Sequence, residues 1–158
     1  MEWQEVLASP YLKDLPFKIE LNEWGQIVMT PASNEHARLQ ARIANLLFER
    51  RRDGEIMTEC SIATSKGVKV ADVAWATVDF IQLHGSETPF PIAPAICIEI
   101  VSGSNTRGEI QEKIDLYLAK GASEVWICDK KRVIHFYGHQ GKLPQSELFP
   151  GFPAKIEL

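Results

Sequence analysis

The sequence predicts an α/β protein of the α+β kind: a mixed β-sheet flanked by two main helices. Three observations carry this. Short apolar runs of strand length recur along the chain, among them "EIMTECSIAT", "PAICIEI" and "EVWICD". Two longer segments space apolar residues as a helix does, Leu39/Ile43/Leu46/Leu47 and Ile110/Ile114/Tyr117/Leu118. The 158 residues, 45% of them hydrophobic and 24% charged, suffice for one ordinary domain over 1–158 with its own core.

The elements follow in order. "FKIEL" and "QIVMT" flank the turn "NEWG" and read as a hairpin. Ser33 caps a helix that runs to about Arg52 and stops at Asp53-Gly54. "EIMTECSIAT" reads as a strand and, after the turn "SKG", "VKVADVAWATVDF" reads as another. "LHGSETPFPIAP" is a loop rich in Gly and Pro. A buried strand over "PAICIEI" and the small-polar turn "SGSNTRG" come next. A second helix spans roughly Glu109 to Lys120, with Gly121 as its stop. "EVWICD" and "RVIHFYG" form a hairpin over "KKR", and the tail "LFPGFPAKIEL" is expected to add an edge strand.

Composition narrows the function classes. No apolar run is long enough to span a bilayer, and "MEWQEVLASPYLKDLP" lacks the basic start and apolar stretch of a secretory leader, so no membrane contact is expected. Cys60, Cys97 and Cys128 form no CxxC pair, which disfavours a zinc site and a disulfide framework; they read as reduced cysteines in apolar segments of a cytoplasmic protein. The net charge of −4 argues against strong nonspecific binding to nucleic acid. The basic runs Arg50-Arg51-Arg52 and Lys130-Lys131-Arg132 read as a solvated helix end and a turn. There is no P-loop, no dinucleotide-binding glycine run and no GxSxG.

Glu99 is the anomaly. It sits mid-strand between Ile98 and Ile100, where an unpaired carboxylate would cost several kcal/mol, on the order of known penalties for buried charge. Strand alternation puts Ile96, Ile98 and Ile100 on one face and Ala95, Cys97, Glu99 and Val101 on the other. Asp72 in "KVADVAW" is a second mid-strand carboxylate, sharing a face with Val70 and Ala74. Taken singly, each reads first as bonded to loop amides or to a basic residue; taken together, the pair suits a hard divalent cation equally well. At about 100° per residue, Lys113 lies about 60° from Ile110 and about 40° from Tyr117, at the edge of the helix's buried stripe. Its stem can pack while its ammonium reaches inward, where it could act on a water or a phosphate. His36 lies near the start of the first helix, at the edge of the Leu39/Ile43 stripe. Glu20 falls on the polar face of its hairpin strand and reads as solvent-exposed. No Cys or carboxylate completes a metal set with His135 and His139.

Five features taken in order, "IELNEWGQIVMTPASNEH", "VADVAW", "CIEIVSGSN", "EIQEKIDLY" and "GASEVWICD", resemble the Uma-two-type family of restriction-endonuclease-like proteins, within the PD-(D/E)XK nuclease superfamily. The resemblance spans Phe17 to Gly138. It implies a restriction-endonuclease-like fold, a mixed central β-sheet flanked by helices. It also implies a metal-dependent endonuclease that hydrolyses phosphodiester bonds of nucleic acid, DNA foremost, with Mg²⁺ or Mn²⁺. Asp72 and Glu99 match the metal-binding acidic residues. The motif lysine would fall at Val101, and the family's lysine matches Lys113 on the next helix instead. His36, Glu20 and Tyr117 match supporting positions, and Ala71 stands where the motif name has a proline. The superfamily often cuts duplexes with paired sites, which implies a homodimer; "EVWICDKKRVIHFYG" and "LFPGFP" are the candidate surfaces. The competing expectation is a non-catalytic nuclease-like module that recruits a protein or nucleic-acid partner.

Overall fold

The computed structural model describes residues 1–103 and 105–158. Ser104, in the turn expected after the Glu99 strand, lies outside the described residues. The main sheet has six strands in sequence order: β3 (Gly54–Thr64), β4 (Gly67–Thr77), β5 (Ile96–Ile100), β6 (Glu124–Cys128), β7 (Ile134–Gly138) and β8 (Gly141–Leu143). Neighbours are antiparallel except β5 and β6, which run parallel. A parallel pair needs a crossover, and α4 (Arg107–Ala119) supplies it. A separate two-stranded hairpin, β1 (Phe17–Leu21) and β2 (Ile27–Pro31), precedes α2 (Asn34–Arg50).

Each face of the sheet has its own core. On one side α2 lays down Leu39, Ile43 and Leu47 against Val73, Trp75, Ile96, Ile98 and Trp126. On the other side α4 contributes Ile114 and Tyr117, which pack with Ala71, Cys97, Val125 and Ile127. The odd–even alternation of "ICIEI" thus feeds both cores, isoleucines to α2 and Cys97 to α4. Ser33 caps α2 by accepting from the His36 N–H at 3.1 Å. Thr106 and Glu109 form a capping box at the start of α4, two residues before the expected Glu109.

One element is additional, and four expectations need correction. Trp3–Ala8 is a short helix, α1, closed by a capping box between Glu2 and Glu5; Trp3 and Val6 bury against Leu21 and Val70. Val78–Phe80 do not continue β4. The Thr77 side chain accepts from the Phe80 N–H and starts α3 (Val78–His84), so the expected loop begins only after His84. The tail adds no edge strand: it makes one isolated bridge, Lys155 to Val133, and the edge is β8. Nor is "LFPGFP" a free apolar surface, since Phe149, Phe152 and Ile156 are buried in the α2-side core. Of the Arg50-Arg51-Arg52 run, Arg50 and Arg52 are exposed as expected, but Arg51 is half-buried. Arg51 stacks over Trp75 at 4.5 Å and donates to the Leu148 carbonyl. No helix among the described residues is long and apolar enough to cross a membrane.

The β1–β2 hairpin is fixed over the outer half of β4. Gly67, at the β3–β4 turn with φ +89°, lies so close to the Leu21 and Asn22 carbonyls that a Cβ there would collide with both. Glu20 completes the docking, its Oε2 accepting from the Val70 N–H at 2.7 Å. A strand side chain thereby satisfies a buried backbone donor that has no ladder partner on that side.

Candidate active site

The site forms where the sheet forks. β4 pairs with β5 over Val73–Trp75 only. Asp72 and Glu99 are the next residues beyond that ladder, so the register sets them side by side as the strands part. The Ile100 N–H, left without a partner on β4, donates to Asp72 Oδ2 at 2.7 Å. Asp72, Glu99 and Glu20 are 1%, 7% and 5% exposed, so all three carboxylates must be compensated from within.

Two ammonium groups do this. Lys113 Nζ donates to Glu20 Oε2 at 2.8 Å and to Glu99 Oε1 at 3.2 Å. Lys18 Nζ donates to Asp72 Oδ1 at 3.1 Å and to Glu99 Oε2 at 2.9 Å. The Tyr117 hydroxyl donates to Glu99 Oε1 at 2.7 Å. His36 Nε2 lies 3.3 Å from Asp72 Oδ1, and Gln40 donates to the Asp72 carbonyl. His36 Nδ1 is buried without a partner among the described residues.

These neighbours set the charge states. Burial works to raise Asp72, but Lys18, His36 and the Ile100 N–H outweigh it and hold the carboxyl well below its usual range. Glu20 is also held low against its burial, by Lys113 and Lys18. Burial prevails at Glu99 and pushes it up, the two lysines pulling the other way. The hydrogen bond to Asp72 raises His36, against its partial burial. Burial also pushes the nearby Cys60 thiol up to about 12, so it is no nucleophile near neutral pH.

A cavity of about 280 Å³ opens over the cluster, lined by Lys18, Thr30, His36, Ser102, Asn105 and Lys113 among others. A second depression shares Pro31, His36, Ile100 and Ser102 with it and extends to Lys130. The structure therefore brings Asp72, Glu99, Lys113, His36, Glu20 and Tyr117 into one cluster. Glu20 is not solvent-exposed as its strand pattern suggested; the docked hairpin covers it. Asp72 and Val70 part company, for Val70 packs with Trp3 and Leu21. Lys18 was missed. Its one signal is its position two residues before Glu20, which puts both side chains on the same face of β1. His135 and His139 are bound elsewhere, to Asp129 and to the Ala122 carbonyl.

Comparison with known proteins agrees with this architecture. A crystal structure of a "putative nuclease belonging to DUF820" from Anabaena variabilis superimposes with a TM-score of 0.70. The match covers 93% of this chain and 82% of that one at 20% identity, a likeness of fold. No curated protein matches the sequence. A family profile described as "Putative restriction endonuclease" matches residues 3–156, nearly the whole chain and every residue of the cluster. The chain therefore belongs to the Uma-two family of that description.

Proposed function

We propose that this protein is a metal-dependent endonuclease that hydrolyses phosphodiester bonds of nucleic acid, DNA foremost, with Asp72 and Glu99 holding Mg²⁺ or Mn²⁺. One observation carries the reading. Asp72 Oδ1 and Glu99 Oε2, on two strands, already converge on a single cationic point, the Lys18 ammonium, at 3.1 and 2.9 Å. Among the described residues no third His, Cys, Asp or Glu joins them as a metal-binding group. This donor set fits a hard cation that keeps much of its coordination for water and phosphate oxygens. A divalent ion bound there supplies Lewis acidity and a more acidic water.

The chain's own residues do the rest. The Tyr117 hydroxyl and Lys113 occupy Glu99 Oε1 and so turn Oε2 toward the cation position. The Ile100 N–H does the same for Asp72 Oδ2, so that Oδ1 points inward to Lys18 and His36. Glu20 holds Lys113 at the cavity wall, where the ammonium can orient a water or take up charge on the phosphate. His36 fixes Asp72 from the side of α2. The depression leading to Lys130 gives a nucleic-acid strand a path away from the cleft. The three free cysteines accord with a reducing, cytoplasmic setting.

Supercoiled plasmid, single-stranded DNA and RNA, each with Mg²⁺ and with Mn²⁺, test the activity. Nicking of the plasmid is expected with metal and not with a chelator. Divalent metal should also raise the Tm of the wild type, because a ligand of the native state stabilises it, and Asp72→Ala should abolish the rise. An unchanged shift in the variant would place the metal elsewhere. Cutting both strands calls for paired sites, so a twofold homodimer is expected, and only monomer by light scattering at micromolar concentration would reject it. A second reading, a non-catalytic recruiting module, draws on the internal charge balance. Lys18 and Lys113 compensate the buried carboxylates without any added ion.

A further inference from the structure

The four oxygens of Asp72 and Glu99 are all engaged. Asp72 Oδ2 takes the Ile100 N–H, and Glu99 Oε1 takes Tyr117 and Lys113. Only Asp72 Oδ1 and Glu99 Oε2 remain to face one another across the fork, and Lys18 Nζ sits between them. A divalent ion binds carboxylate oxygens at roughly 2.0–2.6 Å. Placed on this oxygen pair, it would stand almost on the ammonium nitrogen. Two positive centres that close repel strongly in a site shielded from water.

We propose that Lys18 is a built-in tenant of the cation position: its ammonium and a divalent metal hold Asp72 Oδ1 and Glu99 Oε2 in turn, and metal loading displaces Lys18 into the cavity. The inference rests on the metal site proposed above and adds the residue that sets its affinity. Lys18 has the means to move. It stands on β1, outside the main sheet, and its side chain lines the open cavity. The exchange is one of position and not of protonation, since the surrounding carboxylates keep the ammonium charged in spite of its burial. While seated, Lys18 prevents two buried carboxylates from facing each other unpaired, so the fold stands without metal. The same contacts must be given up before metal enters, which weakens the apparent affinity.

The test is Mn²⁺ binding by calorimetry on the full chain, for wild type, Lys18→Met and Lys18→Arg. Met keeps an unbranched stem and removes the charge. Lys18→Met is expected to bind Mn²⁺ roughly tenfold tighter or more, with a lower metal-free Tm and a larger rise on adding metal. Lys18→Arg should stay as weak as wild type or weaker. Should Lys18→Met fold and bind no tighter than wild type, the tenancy is wrong while the metal site stands. Should neither bind Mn²⁺, the metal site falls and the tenancy with it. The wild type gives a readout that does not depend on the variant folding: the ¹⁵N signal of the Lys18 ammonium. It should be protected from solvent exchange without metal and lose that protection on adding Mg²⁺. Protection unchanged at saturating Mg²⁺ would overturn the proposal.

Discussion

Lys113→Ala is expected to retain divalent-metal binding and to lose about 10²–10⁴-fold in cleavage rate, the range a single general-base or charge-stabilising group contributes. The geometry separates the two properties. Lys113 touches Glu99 Oε1, whereas the proposed cation position lies at Oε2 and Asp72 Oδ1, the oxygens that face Lys18. Removing the ammonium leaves the latter pair intact but takes the Lys113 charge from the cavity wall. Glu99→Gln should act differently, lowering metal affinity and activity together, because it removes a ligand charge. Lys113→Ala should also lower stability. Its ammonium is the nearest counter-charge to Glu20, 2.8 Å away, and a buried carboxylate left without its partner is costly. Melting curves and cleavage assays on the same preparations therefore have to be read side by side. Equal trace cleavage by wild type and both variants would end the nuclease reading in favour of the recruiting module.

Much of this site could be read from the sequence because its members break local rules. A glutamate inside "ICIEI" and an aspartate inside "VADVAW" violate the apolar pattern of their strands, and helical periodicity places Lys113 at the edge of the core face rather than on the solvent side. Lys18 and Glu20 break no such rule. In a two-stranded hairpin an alternating polar face looks solvent-exposed, and only the docking of β1 on β4 turns it inward. That docking depends on contacts between residues far apart, such as Glu20 with Val70 and Gly67 with Leu21, which no periodicity encodes. The short helices were hidden for local reasons. α1 is capped by glutamates where Ser or Thr is the usual signal, and "VDF" continues the apolar alternation of β4 although Thr77 caps a helix there. The compensation of Glu99 is likewise shared more widely than the sequence suggested, among Lys18, Lys113 and Tyr117.

Glu124→Ala is expected to lower stability by about 4 kcal/mol, the largest structural effect of any substitution considered, and Tm by roughly 8–16 °C for a chain of this size. Glu124 begins β6 and is only 2% exposed. Its Oε1 accepts from Trp126 Nε1 at 2.8 Å and from the Ser146 hydroxyl at 2.7 Å. Its Oε2 accepts from the Glu147 and Leu148 N–H groups, both at 3.0 Å. Ser146 Oγ in turn accepts from the Phe149 N–H at 2.9 Å. One carboxylate thus folds the tail back so that Phe149 packs edge-on against Trp75 and Trp126. Alanine leaves these donors facing a void, at roughly 1–3 kcal/mol for each buried group that finds no water. Glutamine should recover only part of the loss, since its amide turns a donor toward donors on one side or the other. The cluster around Asp72 shares no hydrogen bond with this network among the described residues, so the metal-induced rise in Tm should survive in both variants. A Glu124→Ala protein that melts within about 2 °C of wild type would mean that the tail is held by its apolar contacts alone.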